Sequence, residues 1–174
     1  MYGLLSSYNM KEVSLELKLQ ECCEAELNAE DRHLTEMARQ ACHDSYSPYS
    51  GFAVGAAVLL SNGIVMMGNN QENAAYPSSM CAERVALFQA GALFPQKAVK
   101  ALAIAARTKD GFTPHPCPPC GTCRQVMLET EMRHGGEPIR LILYGTQKCY
   151  IIEGGAKALL PLQFEKETMN SSHS

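Results

Sequence analysis

A nearly continuous apolar run, Phe52-Ala53-Val54-Gly55-Ala56-Ala57-Val58-Leu59-Leu60, is followed by Asn62-Gly63 and then Ile64-Val65-Met66-Met67. Asn-Gly between two apolar runs is the strongest short-range signal for a β-hairpin, because both residues tolerate the positive φ of the tight turn. Further along, residues 82–93 and 121–133 read as helices. Between and after them, residues 99–106, 139–144 and 149–152 read as strands. Upstream, Asp31 is expected to cap a helix running to about Asp44, with Leu34, Met37, Ala38 and Ala41 on one face. The expected order is α-β-β-α-β-α-β-β. Helices interspersed among strands favour one sheet covered on both faces.

The chain is long enough for one such domain: 174 residues support one hydrophobic core and not two. With 46% apolar and 19% charged residues, a packed core is expected and disorder is not. Three zones are expected. Residues 1–30 form a Glu- and Leu-rich extension of unknown role, 31–164 the periodic domain, and 165–174 a flexible tail. In the extension Val13, Leu15, Leu17 and Leu19 alternate with polar residues, which is strand spacing, yet the composition favours helix. A helix is the expectation.

A formal charge of -3 offers no footprint for nucleic acid. No apolar run approaches the roughly 20 residues of a membrane span. The first 20 residues lack the features of a secretory signal, so a cytoplasmic location and reduced thiols are expected. In that setting, clustered cysteines among the eight present point to metal binding or catalysis before disulfides.

Two clusters carry chemistry. Cys81-Ala82-Glu83 and Pro119-Cys120-Gly121-Thr122-Cys123 each sit at the start of an expected helix. Cysteines three apart lie about one helical turn apart, so Cys120 and Cys123 can face one point. Cys81 can add a third sulfur. Three protein ligands leave a fourth zinc position open to water, whose pKa zinc lowers; that is the pattern of catalytic sites. Glu83, two residues from Cys81, can reach that water without becoming a ligand and so shuttle protons. Two helix N-termini, with Arg84 and Arg124 beside them, are expected to offset the thiolate charge. A structural zinc site remains open, because Cys117, His115 and Cys149 are available as fourth ligands.

These motifs resemble the zinc site of the cytidine deaminase family. Three further segments are similar: residues 45–50 with Phe52 and Val54-Gly55-Ala56-Ala57; Asn70-Gln71-Glu72-Asn73-Ala74 with Tyr76-Pro77; and Leu159-Leu160-Pro161 with Phe164. The general pattern for zinc deaminases has His or Cys as first ligand and a Glu that is not a ligand. Cys in that place resembles the short, homotetrameric free-nucleoside enzymes. The resemblance implies an α/β fold, a three-layer α/β/α sandwich around a mixed five-stranded sheet. It implies one zinc per subunit on Cys81, Cys120 and Cys123, with Glu83 as proton shuttle. It further implies a nucleoside bound by Phe52, Asn70, Glu72, Ala74, Tyr76 and Phe164, with the active sites at subunit interfaces and Phe164 reaching a neighbour. The reaction implied is hydrolysis of cytidine and 2′-deoxycytidine to uridine and 2′-deoxyuridine. Deamination of an antibiotic cytosine nucleoside and a non-catalytic zinc module are the alternatives. A further expectation is that Cys117 stays off the metal, because Pro118 and Pro119 keep the chain extended between it and Cys120.

Overall fold

The computed structural model describes residues 10–170. Strands β1 (Gln20–Cys22), β2 (Ala53–Leu60), β3 (Val65–Asn69), β4 (Val99–Thr108), β5 (Gly111–Phe112), β6 (Arg140–Leu143) and β7 (Cys149–Ile152) form one sheet. Its order is β1-β7-β6-β4-β2-β3, with β5 hairpinned onto β4. The β4–β6 pair is parallel and the other pairs are antiparallel, so the sheet is mixed. The five expected strands are all present. The two additional ones, β1 and β5, are three and two residues long and carry little sequence periodicity.

Alternation along the strands sorts the core into two layers. Ala56, Val58, Leu60, Leu102, Ile104, Leu141 and Leu143 face helices α2 (Ala82–Leu93), α3 (Gly121–Arg133) and α4 (Gly155–Leu159). Ala57, Leu59, Ala101, Ala103, Ala105 and Ile142 face α1 (Ala29–Ala41) on the other side. The result is three layers, α/β/α. Close approach is built into both faces. A Cβ on Gly55 would lie 2.0 Å from the Ala38 carbonyl oxygen in α1. One on Gly68 would lie 2.5 Å from the Ala82 carbonyl oxygen and the Ala86 nitrogen in α2. Only glycine lets either helix backbone sit that near its strand.

Three expectations change. Asp31 is not the cap of α1. Asn28 is, its side-chain oxygen accepting from the Asp31 N–H at 2.8 Å. The Asp31 carboxylate is buried and takes two bonds from Arg140 on β6, at 2.7 and 3.2 Å. α1 ends at Ala41, followed by a single 3₁₀ turn, Cys42–Asp44. Among its described residues the lead forms no α-helix before Ala29: residues 10–19 are irregular, with Val13, Leu15, Leu17 and Leu19 exposed. Their spacing of two gives no helical stripe, and the segment runs instead into the edge strand β1. At the other end, α5 (Lys166–Asn170) occupies part of the expected tail. Residues 171–174 of that tail, and 1–9 of the lead, lie outside the described residues.

Candidate active site

Cys81 and Cys120 are the N-cap residues of α2 and α3, each with extended backbone angles. Cys123 follows in the first turn of α3 and is buried. The three sulfurs lie within 4.8 Å of one another, with Cys81–Cys120 at 3.8 Å and Cys120–Cys123 at 3.5 Å. Sulfurs sharing one tetrahedral zinc at about 2.3 Å each are about 3.8 Å apart. The spacing therefore fits a single zinc ion, and the donor set of three thiols suits it. Among the described residues this is the only group of three or more potential ligands at such spacing.

The surroundings favour thiolate at Cys81. Arg84 Nη2 donates to the Cys81 sulfur at 3.6 Å. Hydrogen bonding to Cys123, and then to Arg84, holds the Cys81 thiol down at about 5, and the same sulfur–sulfur bond pushes Cys123 up. Arg124 behaves differently from its expected role. Its guanidinium donates to the carbonyls of Pro119 at 2.9 Å and Leu159 at 2.7 Å, so it fixes the ligand loop to α4 and bonds no sulfur. Glu83 is buried in the first turn of α2, two residues from Cys81, and burial pushes its carboxyl above the ordinary range.

These groups open onto a cleft of about 760 Å³, within the range of small-molecule sites. Cys81, Glu83 and Cys120 line it together with Asn70, Glu72 and Tyr76. The Asn70–Glu72 segment is brought there by backbone pairing. Gln71 exchanges two hydrogen bonds with Met80, both 2.9 Å, while Tyr46 bonds Asn70 and Glu72 at 3.1 and 2.8 Å. Gln71, between Asn70 and Glu72, is thereby set beside Met80, the residue preceding Cys81.

Both polar side chains are already engaged. Asn70 Nδ2 donates to the Phe52 carbonyl at 2.9 Å, and Oδ1 accepts from the Val54 N–H at 2.8 Å and the Ser45 hydroxyl. Glu72 accepts from the N–H groups of Tyr49 and Ser50 and from the Ser50 hydroxyl, which holds its carboxyl below the usual value. Phe52 and Ala74 do not border the cleft of the single chain, and neither does Phe164, whose ring is exposed. Cys117 lines the cleft half-buried yet lies outside the three-sulfur group.

Sequence reasoning did not single out Tyr49, Ser50, Met80 and Thr122, which also line the cleft. Tyr49 packs edge-to-face on Tyr76 at 6.2 Å between ring centres. The turn-forming run Ser47-Pro48-Tyr49-Ser50-Gly51 was the available signal, since a turn exposes N–H groups that an acidic residue can accept.

Residues 28–134 match the family model described as the cytidine and deoxycytidylate deaminase zinc-binding region. A cytidine deaminase of Halalkalibacterium halodurans is 43% identical over 138 residues, spanning 79% of this chain and 96% of that protein. One from Sporosarcina psychrophila is 39% identical, spanning 76% and 90%. The crystal structure of cytidine deaminase from Burkholderia pseudomallei superposes with a TM-score of 0.64 at 35% identity, covering 79% of this chain and all of that one. The family match takes in both cysteine clusters, Glu83 and strands β2 to β5, and on that ground the chain belongs to the cytidine deaminase family.

Proposed function

We propose that the protein hydrolytically deaminates cytidine and 2′-deoxycytidine, releasing ammonia and leaving uridine and 2′-deoxyuridine. The observation that carries this is the position of Glu83: a buried carboxyl two residues from one sulfur of a zinc-spaced trio, lining the same cleft as Asn70 and Glu72. Cys81, Cys120 and Cys123 would hold the zinc, which when bound lowers the pKa of a water and readies it as a nucleophile near neutral pH.

The chain's own residues handle the protons. Glu83 takes a proton from the attacking water and delivers it to N3 of the pyrimidine, making C4 electrophilic; it then takes the proton left on the new C4 hydroxyl and hands it to the departing amine, leaving the C4 carbonyl. Burial shields the carboxyl from bulk water, so the proton stays between enzyme and base. Arg84 offsets part of the charge on Cys81.

At the sugar end, Glu72 keeps unused lone pairs on its carboxylate, and Asn70 keeps one N–H of its amide. Those groups accept from and donate to ribose hydroxyls, while their existing bonds to residues 49–54 hold them in place. Tyr76 walls the cleft, and Phe52 anchors the Asn70 amide through its carbonyl. Ala74 offers backbone to the base edge, and Phe164 covers the cleft of a second copy of the chain in a homotetramer. The test is the fall in absorbance as cytidine becomes uridine. Zinc-replete protein that leaves both cytidine and 2′-deoxycytidine unchanged overturns the proposal and leaves a structural zinc module.

A further inference from the structure

Cys22 and Cys149 lie outside the zinc site and have no part in the proposed chemistry. They are direct partners in the antiparallel register of β1 and β7. Directly opposed residues of an antiparallel pair have Cα atoms about 4.5 or 5.5 Å apart. Both distances fall inside the roughly 4.4–6.8 Å window for a disulfide. Opposed side chains also share one face of the sheet, and here both pack into the core layer beneath α1. Cys149 is fully buried and Cys22 half-buried, and both thiols are free. β1 itself is a three-residue edge strand, flanked by the Glu21–Lys148 ion pair at 2.9 Å, and behind it runs the exposed segment 10–19.

We propose that Cys22 and Cys149 form a reversible cross-strand disulfide that fastens the edge strand, and the N-terminal segment behind it, to the sheet. The oxidant is a small-molecule disulfide. The Cys22 thiolate attacks one of its sulfurs and expels the first thiol. The Cys149 thiolate then attacks the Cys22 sulfur and expels the second. Two protein thiols are oxidised to one disulfide, and the small disulfide is reduced to two thiols. Burial raises both protein thiols, which lowers their thiolate fraction and slows the exchange. A thiol reductant reverses it.

The test incubates zinc-loaded protein with oxidised glutathione, blocks the remaining thiols, digests with trypsin without reduction and maps the products by mass spectrometry. Cleavage after Lys18, Arg32, Lys148 and Lys157 yields peptides 19–32 and 149–157. The expected product joins these two. Because 19–32 also contains Cys23, the join is assigned by fragmenting the wild-type product and by variants: Cys23→Ser keeps it and Cys22→Ser abolishes it. Hydrogen exchange at residues 20–22 slows by about tenfold on oxidation as local opening is suppressed, and recovers with reductant. A join through Cys23, or glutathione retained on Cys22 with no join, overturns the proposal.

Discussion

Glu83 is a buried carboxyl in the first turn of α2, so an isosteric change is the one that tests its proposed work without emptying the space it fills. Glu83→Gln keeps the shape of the side chain and removes its acidity. General acid–base groups contribute about 10²- to 10⁴-fold in rate, and this one acts twice. Turnover of cytidine should fall to near background while bound zinc, measured by elemental analysis, is unchanged. Activity within tenfold of wild type would refute the role. The cysteines separate just as sharply. Cys120→Ser and Cys123→Ser should lose both zinc and turnover, whereas Cys117→Ser should keep both. A Cys117→Ser protein that no longer retains zinc would place that sulfur on the metal and make the site structural. The distinction was already legible in Pro118 and Pro119, which separate Cys117 from the pair that opens α3. The role of Arg124 was not legible. Its place beside a ligand suggested a bond to sulfur, and only the tertiary position of the Leu159 carbonyl drew it elsewhere.

At the scale of elements, α3 is fastened to its neighbours by one buried carboxylate. Glu131 Oε1 accepts from the Ile139 N–H at the entry to β6, at 2.9 Å, and from the Ala156 N–H in α4, at 2.8 Å. Burial raises its carboxyl above the ordinary 4.5. The folded state therefore holds the proton more tightly than the unfolded chain does. Its contribution is full below the unfolded value and is lost as pH rises through the folded one. As pH rises through that window, above the ordinary 4.5, the thermal midpoint of wild type should decline relative to that of Glu131→Gln. A wild type that gains on the variant over the window would reverse the assignment. Glu131→Ala leaves two N–H groups without acceptors, at about 1–3 kcal/mol each, and should lower the midpoint at every pH. Glu131 reads in sequence as one more solvated helix residue. Periodicity located β4, β6 and β7 to within a few residues through their apolar runs, and α2 and α3 also lie where helices were expected. It misplaced the cap of α1 because Asn28 and Asp31 are both good cap residues, and Arg140, 109 positions away, decided between them. It gave helix for the lead because composition outweighed the alternation of Val13, Leu15, Leu17 and Leu19.

For the whole molecule, Phe164 is the residue that a single chain leaves unexplained. Its backbone is held by Gln125 at 3.0 Å, yet its ring is 58% exposed and away from its own cleft. If it covers the cleft of another copy, Phe164→Ala should raise KM for cytidine several-fold while the thermal midpoint stays within a few degrees of wild type. Steady-state kinetics alongside sedimentation would decide, and a fully active monomer at high dilution would count against the arrangement. No helix among the described residues is long and apolar enough to cross a membrane.

The placement of the three sulfurs also bears on the order in which the protein assembles. Cys120 and Cys123 belong to one helical turn and come together as soon as α3 nucleates. Cys81 arrives from the far side of β4 in the chain, and it meets them only once α2 and α3 are both docked on the sheet. Local contacts form early, and those of large sequence separation form late. A folding chain can thus offer a two-sulfur half-site well before the third ligand arrives, and tight metal retention becomes a report that α2 and α3 have both docked on the same face of the sheet. A chelator added during refolding would therefore intercept zinc at the half-site, whereas the same chelator added to finished protein would have to wait for α2 or α3 to open.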